Sequence, residues 1–297
     1  MFLGIEIGGT KLQLGIGRGD GRIVSLWRGT VDAARGGVGI LAQIEAAVPI
    51  ILDQAKLSLP DLQAVGVGFG GPTDDATQSV IKSHHIAGWD GFPLGTWVTE
   101  LTGLPAAVCN DADVAGLAEA KFGAGRGLSP IFYITVGSGI GGGLIIDGKI
   151  YRGTGKGAAE VGHLRPVYPL DPPPHDDILE HYASGWGIGK AGNRTGREVA
   201  EAASRGDPAS LAIIDRAAQA LAEGVCSVIK LLCPRRVVIG GGVSLIGESL
   251  FFQPVRRYVA ERGFAAFAGL TDIVPAELGE VVVIHGALAL ARDTLGG

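Results

Sequence analysis

Cysteine is scarce: Cys109, Cys226 and Cys233 are the only three, with neither the spacing of a zinc site nor that of a disulfide framework. They read as buried, reduced thiols of a cytoplasmic protein. No run of lysine and arginine forms a basic patch. The 25 basic residues against 30 acidic ones leave a net charge of −5, which favours no nucleic-acid partner. Apolar runs such as Val281-Val282-Val283-Ile284 are far too short to cross a bilayer. The N-terminus lacks a signal peptide's basic head and apolar stretch. No G-x-x-x-x-G-K-[ST] motif occurs either, which excludes a P-loop nucleotide site.

Glycine, by contrast, is abundant. Its fifty copies fall singly or in short groups at strand ends, so they read as turns and close backbone approaches. Two groups stand out, Glu6-Ile7-Gly8-Gly9-Thr10-Lys11 and Gly137-Ser138-Gly139-Ile140-Gly141-Gly142-Gly143, each between two strand-like stretches. Turns without side chains let backbone N–H groups grip phosphate oxygens. The second group fits G-x-G-x-x-G, but a dinucleotide site needs a helix after the glycines, and a strand follows here.

Residues 1–30 read as three strands, 37–56 as a helix, 64–69 as a buried strand, 92–103 as a helix and 106–109 as a strand. A helix from Val114 to Phe122 completes a βββαβαβα order, that of one half of a ribonuclease-H-like or actin-like fold. The pattern restarts near residue 130, which suggests an ancient duplication. Leu170 to Asp177, with three prolines at 172–174, reads as a loop or lid. Asp207-Pro208 opens the longest helix, 208–232, as N-cap and first turn. A strand at 236–239, the cluster Gly240-Gly241-Gly242, a helix from Gly247 to Arg262 and a helix from Gly286 to Leu295 follow.

Candidate chemistry lies at the strand ends. A carboxylate at Glu6 can hold Mg²⁺ against phosphates, directly or through water, with Thr10 and Lys11 adding a hydroxyl and a charge. Asn110-Asp111 stands where a strand passes into a helix, so capping alone would account for it. An aspartate there can also take the proton from a sugar hydroxyl attacking a γ-phosphoryl group. Glu160 and His163 lie three residues apart, and Glu180 comes 17 residues later, a donor and acceptor set suited to a polyhydroxylated ligand. His84, His85 and His175 read as loop residues rather than metal ligands.

At these residues the chain resembles the ROK family (repressors, open reading frames and sugar kinases) over nearly its whole length. The matching blocks include Gly8-Gly9-Thr10-Lys11, Gly70-Gly71-Pro72, Asn110-Asp111-Ala112, Gly137 to Gly143, Glu160-Val161-Gly162-His163, Leu179 to Gly185 and Ile239 to Val243. The resemblance implies an α/β two-domain ribonuclease-H-like fold of the actin and hexokinase type, with its active site in the interdomain cleft. Domain one is expected at 1–115, joined by 286–297, and domain two at 116–285. The implied activity is phosphorylation of a hexose by ATP with Mg²⁺, glucose O6 being the first choice of acceptor. Fructose, N-acetylmannosamine and N-acetylglucosamine are alternatives. Asp111 is then the general base, and Gly71, Asn110, Glu160, His163 and Glu180 contact the sugar. Phosphates fall to Gly8, Gly9, Thr10, Lys11, Gly137, Ser138 and Gly139, and adenosine to Gly240, Gly241 and Gly242. A cytoplasmic homodimer without nucleic-acid or membrane partners is expected.

Three departures matter. The family usually has Asp at position 6 and Asn at position 113, where this chain has Glu6 and Asp113. It usually has a zinc cluster of one His and three Cys between His163 and Glu180, whereas Leu164 to Leu179 has no cysteine. A zinc-free protein is expected, with His163 oriented by Asp171, Asp176, Asp177 or a backbone carbonyl, and the proline run stiffening the loop. A non-catalytic sugar sensor is the other reading. With five residues ahead of Glu6, no DNA-binding helix-turn-helix is expected before the first strand.

Overall fold

The computed structural model describes residues 1–83, 86–165 and 177–296, and the chain groups into two units. Unit one comprises Met1–Arg126, Gly148–Ala158 and Glu280–Gly297; unit two comprises Gly127–Asp147 and Ala159–Gly279.

Unit one starts with β1 (Phe2–Ile7), β2 (Lys11–Gly17) and β3 (Ile23–Thr30), followed by α1 (Gly36–Ala55) and β4 (Val65–Phe69). A small hairpin of β5 (Thr73–Asp74) and β6 (Ser79–Val80) precedes α2 (Leu94–Thr102), β7 (Ala106–Asn110) and α3 (Asp111–Phe122). The sheet order is β3-β2-β1-β4-β7, with the β1–β2–β3 meander antiparallel and β1–β4–β7 parallel. Strict alternation sorts its two faces. Leu3, Ile5, Ile7, Leu12, Leu14, Ile16, Val65 and Val67 join one core cluster with Ile40, Ile44 and Val48 of α1.

That helix corrects one expectation. Ala33–Ala55, 23 residues, is long and apolar enough to cross a membrane by length and composition. The apolarity is spread through a helical pattern rather than packed into one run. Ile40, Ile44, Val48 and Ile51 are buried, and the helix packs on β2 and β3, so a protein core already accounts for it.

Unit two begins with β8 (Ile131–Val136) and β9 (Ile140–Ile146). Asp147 and Gly148, with φ of 51° and 72°, then turn the chain into β10 (Lys149–Ile150), which belongs to unit one. Back in unit two follow α4 (Leu179–Ala183), α5 (Gly185–Gly192), α6 (Gly196–Ser204), α7 (Pro208–Leu232), β11 (Arg236–Gly240), α8 (Gln253–Arg262) and β12 (Asp272–Pro275). The run β9-β8-β11-β12 repeats the order and strand senses of β2-β1-β4-β7. Helix α7 starts as its sequence dictates: Asp207 accepts from the Ser210 N–H, with Pro208 in the first turn. The helix expected from Gly247 is broken instead into a wide turn of π-type over Glu248–Phe252 and then α8.

The chain closes with α9 (Val282–Asp293) in unit one, four residues earlier than alanine content alone suggests. It packs on β1, β4 and α3. The opposite sheet face is built for this contact. A Cβ on Gly15 would lie 2.3 Å from Ile284 Cγ2, and one on Gly66 would lie 1.9 Å from the Ala287 carbonyl.

Candidate active site

The site residues of unit one gather at the carboxyl ends of β1, β4 and β7. Gly8 N–H donates to the Lys11 carbonyl at 2.9 Å, which closes the β1–β2 turn and leaves Gly9 and Thr10 exposed. The Gly70 N–H donates to Ile7 O at 2.9 Å, so the loop after β4 is tied to the end of β1.

Asn110 caps α3: its Oδ1 accepts from the Ala112 N–H at 2.9 Å and the Asp113 N–H at 3.4 Å. Its Nδ2 donates to Gly71 O at 3.0 Å. The capping role and the contact with the 70–72 loop thus occur in one side chain. Asp111, the first residue of the helix, is half-buried, and its Oδ2 lies 3.5 Å from where a Gly70 Cβ would stand. The helix therefore starts three residues before Val114, because the cap precedes the two acids.

Glu6 is 6% exposed, and its Oε1 pairs with Lys11 Nζ at 2.9 Å. Lys11 Nζ also donates to the Glu280 carbonyl at 3.1 Å. Burial pushes the Glu6 carboxyl up to about 7; Lys11 opposes this, and the acids Asp111 and Glu280 add to it. Folded Glu6 therefore keeps its proton to higher pH than unfolded Glu6 does. Stability fully present below the unfolded value near 4.5 declines as pH rises towards 7. Glu6→Gln should be more stable than the parent at pH 8 by on the order of 2 kcal/mol, an advantage that vanishes near pH 4. Urea titrations at the two pH values measure this; an advantage equal at both would contradict it.

Unit two brings together the second glycine turn, Glu180 and the third glycine cluster. Gly137 N–H donates to Gly139 O at 2.9 Å, and Gly185 N–H at the start of α5 donates to Gly137 O at 2.7 Å. The Glu180 Oε2 accepts from Ile140 N–H at 2.7 Å, and a Cβ on Gly139 would come within 2.5 Å of that oxygen. A side chain at 139 would push the carboxylate off this hydrogen bond. Gly241, at φ of 86°, lies against Val136, where a Cβ would stand 2.6 Å from its carbonyl. Gly240 therefore ends β11, and Gly241 and Gly242 follow it beside the turn that Gly137, Ser138 and Gly139 form.

A 3-10 turn over Val161–His163 curls His163 back on Glu160, with Nδ1 3.6 Å from Oε2, both side chains exposed. Of the groups expected to orient this ring, Asp177 instead accepts from the Tyr182 hydroxyl. Asp171, Asp176, the 172–174 prolines, His84, His85 and His175 lie outside the described residues. Among the described residues, no three of His, Cys, Asp and Glu cluster as a metal site. Cys109 is buried in β7, Cys226 is buried in α7, and Cys233 follows α7 directly.

Two features escaped sequence reasoning. Gln13, paired in register with Glu6, is fully buried without a hydrogen-bond partner on either amide atom. Arg152 forms an ion pair with Asp113 and so gives that unusual acid a partner. Neither belongs to a motif. Only the added charge at 113 hinted at a buried cation.

The model of the ROK family matches residues 2–294. A glucokinase from Halalkalibacterium halodurans is 31% identical, covering 98% of this chain and 95% of that protein. A putative fructokinase from Bacillus subtilis is 31% identical, covering 99% and 96%. The crystal structure of a ROK family glucokinase from Streptomyces griseus in complex with glucose and AMPPNP superposes with a TM-score of 0.84 at 30% identity, covering 98% and 99%.

Proposed function

This chain belongs to the ROK family, and we propose that it is a hexose kinase transferring the γ-phosphoryl group of ATP to a sugar hydroxyl, with glucose O6 as acceptor. The carrying observation is Asp111: an acid at the first position of α3, held by the Asn110 cap next to the Gly70-Gly71 loop. In this reading Asp111 accepts the hydroxyl proton as the sugar oxygen bonds to phosphorus, and the bond from phosphorus to the β,γ-bridging oxygen breaks to release ADP.

Gly71, Asn110, Glu160, His163 and Glu180 hold the sugar. Glu180 Oε2 is committed to the Ile140 N–H, which leaves Oε1 for a hydroxyl. The turns at Gly8 to Lys11 and Gly137 to Gly139 hold phosphate oxygens through the backbone N–H groups of Gly9, Thr10, Ser138 and Gly139, those of Gly8 and Gly137 closing the turns, and Gly240 to Gly242 approach the adenosine. Glu6 fits a Mg²⁺ role, because its Oε2 is buried with no hydrogen-bond partner. Bound there, Mg²⁺ supplies neutralisation of phosphate charge. A cytoplasmic, zinc-free homodimer completes the proposal.

Support comes from the likeness to a glucokinase seen with glucose and AMPPNP; the putative fructokinase among the relatives keeps fructose in the test. A coupled ADP-release screen over hexoses and amino sugars decides. Glucose should give the highest kcat/KM. Preference for fructose, N-acetylmannosamine or N-acetylglucosamine would overturn the choice of glucose. Absence of ADP release with every sugar would overturn the kinase, and sugar binding without turnover would indicate a sensor.

A further inference from the structure

Arg152 follows the short strand β10 and lies eight residues ahead of Glu160 in sequence. Its side chain is 12% exposed, and its guanidinium is engaged on every nitrogen. Nε donates to Asp75 Oδ1 at 2.9 Å, Nη1 to Asp113 Oδ2 at 2.5 Å, and Nη2 to the Thr73 carbonyl at 3.0 Å and hydroxyl at 3.1 Å. The rigid fork makes such a three-way junction possible, and a lysine could not reproduce it.

The elements joined are those that matter for the acceptor. Thr73 and Asp75 immediately follow Gly70-Gly71-Pro72, and Asp113 sits in the first turn of α3, two residues after Asp111. A second tether, from Asn110 Nδ2 to Gly71 O, links the same two elements. The Asp75 N–H also donates to Gly155 O at 2.8 Å, so the Arg152 segment is tied to Asp75 by backbone as well as by side chain.

We infer that Arg152 is a positioning residue for the acceptor sugar: it clamps the 71–75 loop onto the helix start that carries Asp111. The inference rests on the kinase reading above. Asp113 supplies the buried anchor, with a side chain 2% exposed. Removing the arginine alone leaves that carboxylate buried without its cation, a strongly destabilising change. A neutral amide at 113 removes this penalty without restoring the clamp on Thr73 and Asp75.

The test is therefore a pair of variants, Arg152→Met and Arg152→Met with Asp113→Asn, assayed beside the parent. The single variant should melt lower or fail to fold. The double variant should melt within about 2 °C of the parent. Its kcat/KM for the sugar should still be down on the order of tenfold, with KM for ATP within about twofold, as misplacement of the acceptor alone would give. A double variant whose sugar kcat/KM follows its Tm, both restored or both lost, overturns the clamp and leaves the kinase standing. A parent that releases no ADP with any sugar overturns both.

Discussion

Asp111→Asn should lower kcat by at least ~10², the contribution of a well-placed general base, with little change in either KM. The substitution keeps the shape of the side chain and removes only its ability to take a proton. Helix α3 retains its start, because the cap is Asn110 rather than Asp111. Loss of an acid from the first turn weakens its interaction with the helix dipole by roughly 0.3–1 kcal/mol, so the variant should remain folded. Steady-state kinetics on a protein whose urea midpoint has barely moved is the decisive combination. Parental turnover in that variant would remove Asp111 from the mechanism.

Gly286→Ala should cost about 3 kcal/mol or more, at the upper end for an added methyl group in a packed core. Its Cβ would stand 1.9 Å from the Val114 carbonyl, and backbone on both helices has no rotamer with which to yield. Gly66→Ala should behave alike, since its Cβ would meet the Ala287 carbonyl at 1.9 Å. Both changes separate α9 from its seat on β4 and α3, and denaturant titration of each variant measures the loss. A neutral result at both positions would mean that α9 does not lie against that surface so closely.

Much of this was legible in the chain. The three strands within residues 1–30 and the Asp207-Pro208 start of α7 are local signals, each set by a few adjacent residues. The repeated strand order followed because glycine turns mark both halves. Candidate site residues were legible as a set because Gly8 to Lys11, Asn110-Asp111 and Gly137 to Gly139 all stand at strand ends. What was hidden depends on distant parts of the sequence. Arg152 reaches Asp75 and Asp113, 77 and 39 residues away, and no spacing rule predicts such a junction. The membrane-length apolarity of α1 was missed because a periodic helix spreads its hydrophobic residues, where a run would concentrate them. Burial of Glu6 is equally non-local: the carboxylate is shielded by a sheet that closes around it, and sequence shows only an acid before a turn.

Helix α9 also fixes the order in which the molecule can be completed. Sheet β3-β2-β1-β4-β7 leaves the ribosome early, yet the helix covering its glycine-lined face is made of residues 282–293. Throughout synthesis of the intervening residues 111–281 that face lacks this cover, and residues 127–279, which contain the whole of the other unit, are translated first. The half begun first is finished last, so a nascent chain stalled before position 282 should expose an apolar surface suited to a chaperone.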